Sequence, residues 1–448
     1  MAALACPRCD QALTGDAGSL HCNACEVTYP ALDGVPWLFA EPAAALADWR
    51  QRAGFAMERL QERSRRAAEA LGDGAAGATA TRLMAERDGC DRQSTALGEL
   101  LAPLLENRAR LDYATYLALR TRLPSDQGLN TYLPNLFRDW AWGDDENAAS
   151  LELSLEALGD ASGGVGKVLV LGAGAARLAH DLTLALRPGL AVALDFNPLL
   201  LLAAKRITGG GAVTLTEFPL APRRLADHSI ERTLAAATAS KLTYVLGDVL
   251  RAPFRPGHFD LVVTPWLIDI VDEPLDGLLP RINRLLASGG IWLNVGSLAF
   301  RHADPRYNYS YEETLERIGT AGFAAPDVVE RELPYMRSPS SRHARSERML
   351  AFAAEKTAAA ADVPRYRALP DWLVTGKAPV PAGRSFQVQA ASTRVHAFIM
   401  ALIDGRRSLN DMAAIMEQRG LMPADQARDA IRGFLIKMYD DSKRYSAL

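Results

Sequence analysis

A short apolar run that meets a glycine turn limits this chain's fold more than any other feature. Lys167-Val-Leu-Val-Leu171 reads as a strand buried on both faces, as in a parallel sheet. It runs into Gly172-Ala-Gly174-Ala-Ala-Arg177 and then the helical stretch LAHDLTLAL. Glycines at such a strand-to-helix turn let a ligand approach the backbone closely. The next apolar strand, Leu190–Leu194, ends in Asp195, 23 residues beyond Gly172, where these folds set an acid against ribose hydroxyls. A third strand, Lys241–Leu246, ends in Gly247-Asp248-Val249, and a fourth, Phe259–Thr264, leads to Pro265-Trp-Leu-Ile-Asp269. A helix is expected from about Asp276 to Leu286, stopped by Gly289-Gly290, before a strand at Ile291–Val295. This alternation implies a Rossmann-like, doubly wound α/β sheet that binds ligands at the carboxyl ends of its strands.

Such a sheet holds either NAD or S-adenosylmethionine. The turn lacks the full G-x-G-x-x-G of a dinucleotide site, and Asp248 supplies a second carboxylate on the adenine side. With the late Ser288-Gly-Gly-Ile-Trp turn, these features favour S-adenosylmethionine and a methyltransferase.

Four of the five cysteines lie in the first 25 residues, as Cys6-Pro-Arg-Cys9 and Cys22-Asn-Ala-Cys25; Cys90 stands alone. Two C-x2-C knuckles twelve residues apart suit a closed, tetrahedral, structural zinc site. Redox thiols would be expected beside a thioredoxin-like strand, which is missing here. His21 is a substitute ligand, but four sulfurs are the simpler set. The other histidines, His180, His228, His258, His343 and His396, are scattered without metal-ligand spacing.

A length of 448 residues calls for two to four folded units. A net charge of −3 and a pI near 6.2 argue against a broad nucleic-acid footprint. No apolar run is long enough to span a bilayer, and no signal peptide is evident, so a soluble cytoplasmic protein is expected. From Pro42 to about Leu158 apolar residues recur at helical spacing, first as Trp49, Ala53, Met57 and Leu60, then as Leu97, Leu100, Leu101, Leu104 and Leu105. Gly72–Gly77 reads as a loop between them. The expected divisions are a ribbon over 1–40, a helical region over 41–158 that contributes to the cofactor site, a methyltransferase domain over 159–357 and a C-terminal domain over 365–448.

Three resemblances sharpen this reading. Residues Cys22–Phe39, with Tyr29-Pro30 and Asp33-Gly-Val-Pro36, resemble the zinc-ribbon activator subunit of tRNA and protein methyltransferases, and ribbons preceding some ribosomal RNA methyltransferases. The strings NLFRDWAWGDDEN, VLVLGAGAARLAHDL and FDLVVTPWLIDIVDEPLDGLLPRINRLLASGGIWLNVGSLAF resemble the carnosine N-methyltransferase family over about residues 131–355. That resemblance implies cofactor contacts from Asn135, Arg138, Asp195 and Asp248; Gly172, Gly174, Arg177, Val249 and Thr264 complete the expected cofactor set. The same resemblance puts the catalytic aspartate at Asp269, where it would contact an imidazole acceptor. The family histidine has its nearest counterpart in His302, one residue late because Arg301 holds the matching position, and Tyr311 and Tyr335 stand as pocket residues. Arg342-His-Ala-Arg-Ser-Glu-Arg348 replaces the family's tyrosine-rich segment, which hints at a carboxylate-bearing substrate.

Beyond a proline-punctuated linker, Pro364–Pro381, the reading is a short strand at Ser385–Gln389 and three helices: Thr393–Ile403, Ser408–Gln418 and Ala424–Lys443. ALIDGRRSLNDMAAIM resembles the small PqqD-like domains of peptide-modification pathways, implying a peptide or protein partner; a helical cap, a dimer surface and a winged-helix DNA reader are the alternatives. The combined expectation is an N-methyltransferase acting on an imidazole of a small molecule, peptide or protein. An RNA methyltransferase and a non-catalytic peptide-binding scaffold are the competing readings.

Overall fold

In the computed structural model, residues 3–105, 129–362, 372 and 377–446 are described. The part of the helical region over 106–128 and most of the linker expected at Pro364–Pro381 lie outside them. The chain divides into two compact units, Met1–Tyr366 and Arg367–Leu448.

The first unit opens with an antiparallel meander of β1 (Thr14–Gly15), β2 (Ser19–Cys22), β3 (Val27–Leu32) and β4 (Val35–Pro36). Each cysteine knuckle closes on a left-handed residue, Asp10 (φ 65°) after Cys9 and Glu26 (φ 53°) after Cys25. Helices α1 (Pro42–Gly72) and α2 (Gly77–Leu100) then form a hairpin, turning over Asp73–Ala76, within the expected loop. Trp49, Ala53, Ala56 and Leu60 line its buried side. A short α3 (Leu133–Phe137) continues as a π-helical turn, Arg138–Trp142, into α4 (Asp144–Leu158).

The sheet follows as β5 (Lys167–Leu171), α5 (Arg177–Leu186), β6 (Leu190–Asp195), α6 (Pro198–Thr208), a hairpin of β7 (Ala212–Glu217) and β8 (Ile230–Ala235), then β9 (Thr243–Leu246) and β10 (Phe259–Pro265). It ends with α7 (Leu275–Leu285), β11 (Leu286–Gly296), α8 (Tyr311–Thr320), β12 (Val328–Tyr335) and β13 (Arg345–Glu355). The strand order is β12-β13-β11-β10-β5-β6-β9. β13 runs antiparallel to both neighbours, and the remaining strands are mutually parallel. The order reverses between β5 and β10, so the ligand crevice belongs at the carboxyl ends of these strands.

Side chains alternate across the sheet as the strand period demands. Val168, Val170, Ala193, Leu261, Val263 and Leu293 share one core with α1, α2 and α4. Leu169, Leu171, Val192, Val262 and Trp292 face the other way, onto α7 and the ribbon residues Cys6, Cys22, Tyr29 and Leu38. The ribbon is also joined to the sheet by backbone. Trp37 bridges Leu246 in parallel, Leu38 N–H donates to Leu246 O at 2.7 Å, and Ala5 N–H donates to Pro253 O at 2.8 Å. The edge of β9 is therefore covered, where a bare edge would invite pairing with another chain.

Two expectations are corrected. Gly289-Gly290 does not stop α7, which runs straight into β11 at Leu286; the pair lies within β11, where its pairing to β10 is irregular. Ser385–Gln389 is not a strand but the start of α9 (Arg384–Ala401). Its aromatic and β-branched residues yield to the longer helical register, an instance of context overriding propensity. In this second unit α9, α10 (Leu409–Gln418) and α11 (Ala424–Ser446) enclose a small core of Ile399, Leu402, Met412, Met416 and Ile431. Ser408 caps α10 with a reciprocal capping box to Asp411. Among the described residues no helix is long and apolar enough to cross a membrane.

Candidate functional site

The turn after β5 is built for close approach. Gly172 sits at φ 67°, where side chains are strained, and a Cβ there would come within 2.7 Å of Leu267 Cδ1. Gly174 N–H donates to Asp195 Oδ2 at 2.8 Å, while Asn197 N–H donates to Oδ1 at 2.8 Å. Asp195 is 4% exposed, and burial pushes its carboxyl up to about 6 against these backbone bonds. Beside Gly174 an added Cβ would meet nothing within 4 Å among the described residues. This turn and buried acid fit a ribose-bearing ligand. Asp248 lies beyond β9, half-buried, its Oδ1 accepting from Leu250 N at 2.9 Å; burial raises its pKa as well. Val249 follows it, half-buried.

Residues 132–142 pack against the turns after β5 and β6. Asn135 is half-buried on α3, whose preceding Tyr132 meets Phe196 edge-on at 6.3 Å, next to Asp195. The π-helical turn docks on the glycine turn through Trp140, whose Nε1–H donates to Ala175 O at 2.8 Å. Single π turns of this kind recur at functional sites. Arg138, from that turn, donates from Nε to Asp139 Oδ1 at 2.6 Å and lies 5.7 Å from the ring of Tyr335.

An aromatic pair follows β10. Trp266, held at φ 49° by donating to Val295 O at 2.7 Å, packs against Tyr335 with ring centroids 4.6 Å apart. Gly296 permits this, since a Cβ there would lie 3.0 Å from Trp266 Cα. Arg345 covers the Tyr335 ring at 4.4 Å. Asp269 is anchored on one oxygen: Oδ2 accepts from Ser297 Oγ at 2.5 Å and from Ala299 N at 3.0 Å. Its other oxygen, Oδ1, is buried without a hydrogen-bond partner among the described residues.

Four further expected site residues make the following contacts. Arg177 spends its guanidinium on Asp181 (2.9 Å), Asp144 (3.0 Å) and the Asp139 carbonyl (2.6 Å), bracing the π turn. The Thr264 hydroxyl is fully buried in the sheet, accepting from Trp292 Nε1 at 2.8 Å and donating to Asn294 Oδ1 at 2.9 Å. His302 accepts on Nδ1 from Asp304 N (3.2 Å) and points Nε2 at Asp272 (3.3 Å), a residue with a 93% exposed side chain. Tyr311 is 39% exposed on the first turn of α8. Trp266 and Glu146, by contrast, were not singled out in the sequence yet stand at the crevice. The Trp266–Tyr335 pair depends on the register of β12 with β13, which no local pattern reveals.

In the ribbon, the Sγ atoms of Cys6, Cys9, Cys22 and Cys25 all lie within 4.8 Å of one another. Tetrahedral zinc with bonds of about 2.3 Å needs sulfurs about 3.8 Å apart. The 3.5 Å Cys9–Cys22 and 4.0 Å Cys6–Cys25 separations suit that set.

A methyltransferase domain family matches residues 169–293, spanning β5 to β11. The chain carries an S-adenosylmethionine-dependent methyltransferase domain. Similar solved structures include the N-methyltransferase NodS from Bradyrhizobium japonicum, 16% identical over 49% of this chain and 99% of that one, with a TM-score of 0.31. Another is Haemonchus contortus phosphoethanolamine N-methyltransferase 2 bound to S-adenosyl-L-methionine, 18% identical over 50% of this chain and 46% of that one, with a TM-score of 0.30. At such scores these likenesses add nothing to the family match. No curated protein matches the sequence. The methyltransferase domain thus rests on its own topology and on the match from β5 to β11.

Proposed function

We propose that the domain methylates a nitrogen of an imidazole-bearing small molecule, peptide or protein. The observation that carries this reading is the half-satisfied Asp269, with Oδ2 tied down and Oδ1 buried and unpaired. A buried acceptor without a partner is costly, and a ring N–H is the complement it lacks. S-adenosylmethionine, when bound, supplies the electrophilic methyl group on its sulfonium.

The chain's residues then divide the work. Gly172 and Gly174 admit the cofactor at the turn; Asp195 takes the ribose hydroxyls, Asp248 and Val249 the adenine side, and Asn135 and Arg138 the amino-acid end. Trp266 and Tyr335 wall the acceptor, as a flat ring requires. Asp269 accepts the N–H of one ring nitrogen, which fixes the tautomer and leaves the other nitrogen's lone pair to form the new N–CH3 bond as the S–CH3 bond breaks. The positive charge then shared by the ring is stabilised by the same carboxylate. The ribbon is assigned a structural zinc, and the second unit the presentation of a peptide-borne acceptor.

Mass spectrometry of methyl transfer to carnosine, histidine, histidine-containing peptides and total RNA tests this. An imidazole should be methylated, and Asp269→Ala should slow the reaction by about 10²–10⁴-fold while cofactor still binds. Transfer to RNA alone, or undiminished transfer in Asp269→Ala, would remove the imidazole reading.

A further inference from the structure

Glu146 closes an acidic run, Asp144-Asp145-Glu146, yet it differs from its neighbours. Asp144 and Asp145 are exposed, whereas Glu146 is 8% exposed. Its Oε1 lies 3.6 Å from Arg138 Nε, and its Oε2 accepts from Met336 N at 2.9 Å. Met336 is itself held at φ 53°, a conformation that a non-glycine residue keeps only where its surroundings impose it. It directly follows Tyr335, whose ring packs on Trp266. One carboxylate therefore touches both walls of the crevice.

We propose that Glu146 is a positioning residue for methyl transfer, bracketing Arg138 on the cofactor side to the Tyr335-Met336 turn on the acceptor side. The proposal rests on the reading of Arg138 as a cofactor residue. The ordinary alternative is a core ion pair that only supports folding, and the two differ in how cofactor affinity responds to acid. Burial pushes the Glu146 carboxyl up to about 7; Arg138, the Met336 N–H and Arg345 pull it down, and Asp139 pushes it further up. These groups face it from the π-helical turn, the end of β12 and the start of β13. A protonated Glu146 still accepts from Met336 N–H, but it no longer presents charge to Arg138. Arg138 then turns toward Asp139 alone, 2.6 Å away.

The test is calorimetric titration of the full chain with S-adenosylhomocysteine between about pH 5.5 and about pH 8.5, for wild type, Glu146→Gln and Arg138→Ala. In the wild type the dissociation constant should rise about tenfold as pH falls through 7, the loss of one buried ion-pair partner of Arg138. Glu146→Gln should bind weakly throughout and lack that step. A lower step from Asp195, pushed up to about 6, should remain in both. Arg138→Ala should bind weakly at every pH. Three results overturn the bracket: a wild-type affinity flat through pH 7, a Glu146→Gln chain that keeps the step, or an Arg138→Ala chain of unchanged affinity. The last removes the cofactor-site reading with it, whereas normal loss in Arg138→Ala beside an unaffected Glu146→Gln removes the bracket alone. Should Glu146→Gln fail to fold, the wild-type profile decides.

Discussion

Leu38 donates its backbone N–H to the carbonyl of Leu246 at 2.7 Å, which makes the ribbon a continuation of the methyltransferase sheet beyond β9. The residue that follows, Gly247, has the Leu38 carbonyl so near that a Cβ there would stand 3.0 Å from it. Loss of the ribbon fold would expose both the edge of β9 and a face of the core that includes Cys6, Cys22, Tyr29 and Leu38.

Metal removal therefore reaches past the ribbon. Chelation, or Cys22→Ser, should release one zinc per chain and lower the melting temperature on the order of 10 °C, with aggregation following. Elemental analysis beside a thermal melt checks this. An unchanged melt after zinc is stripped would mean that the ribbon stands without metal.

Asp195 predicts a pH slope for the unliganded chain. Its folded pKa, about 6, lies above the ordinary 3.8, so the folded state holds the proton more tightly than the unfolded one. The stability it contributes is fully present below about 3.8 and is lost as pH rises through about 6, up to about 3 kcal/mol by linkage. Denaturant melts across that window, compared with Asp195→Asn, should show the slope flattening in the variant, together with cofactor affinity weakened about 10–100-fold. Equal slopes in the two proteins would contradict the assignment.

At Gly172 a side chain meets two separate obstacles, the positive φ and Leu267 Cδ1 at 2.7 Å. Gly172→Ala should cost about 1–3 kcal/mol and most of the cofactor affinity. Adding Leu267→Ala should relieve the clash but not the backbone strain, so a double-mutant cycle should recover only part of the loss. Full recovery would show that crowding alone is at issue.

Arg177 separates bracing from contact. Its bonds to Asp181, Asp144 and the Asp139 carbonyl join α5 to the π-helical turn. Arg177→Lys should lower stability by about 1–2 kcal/mol and shift cofactor affinity only several-fold. A loss above about 100-fold without destabilisation would point to direct contact with the cofactor.

The alternation in KVLVL was legible because the period of a strand decides which face each residue joins, and Val168 and Leu169 do enter opposite cores. The β7–β8 hairpin was not foreseen. Its strands pair with each other, and β7 is held from outside by Gln93 of α2, whose Oε1 accepts from Thr216 N at 2.6 Å. No local signal names a partner over a hundred residues away. Thr264, expected at the cofactor, has its hydroxyl turned into the core, where Trp292 and Asn294 share it. Glu146 was hidden for the opposite reason: composition reads an acidic run as a solvated face, and helical geometry turned its third member inward.

The bond between Leu38 and Leu246 also orders events in time. The ribbon leaves the ribosome about 200 residues before the strand it completes, so until then its outer edge has no strand to pair with. Four thiols on a nascent chain that capture a metal early would keep that edge in register until β9 arrives.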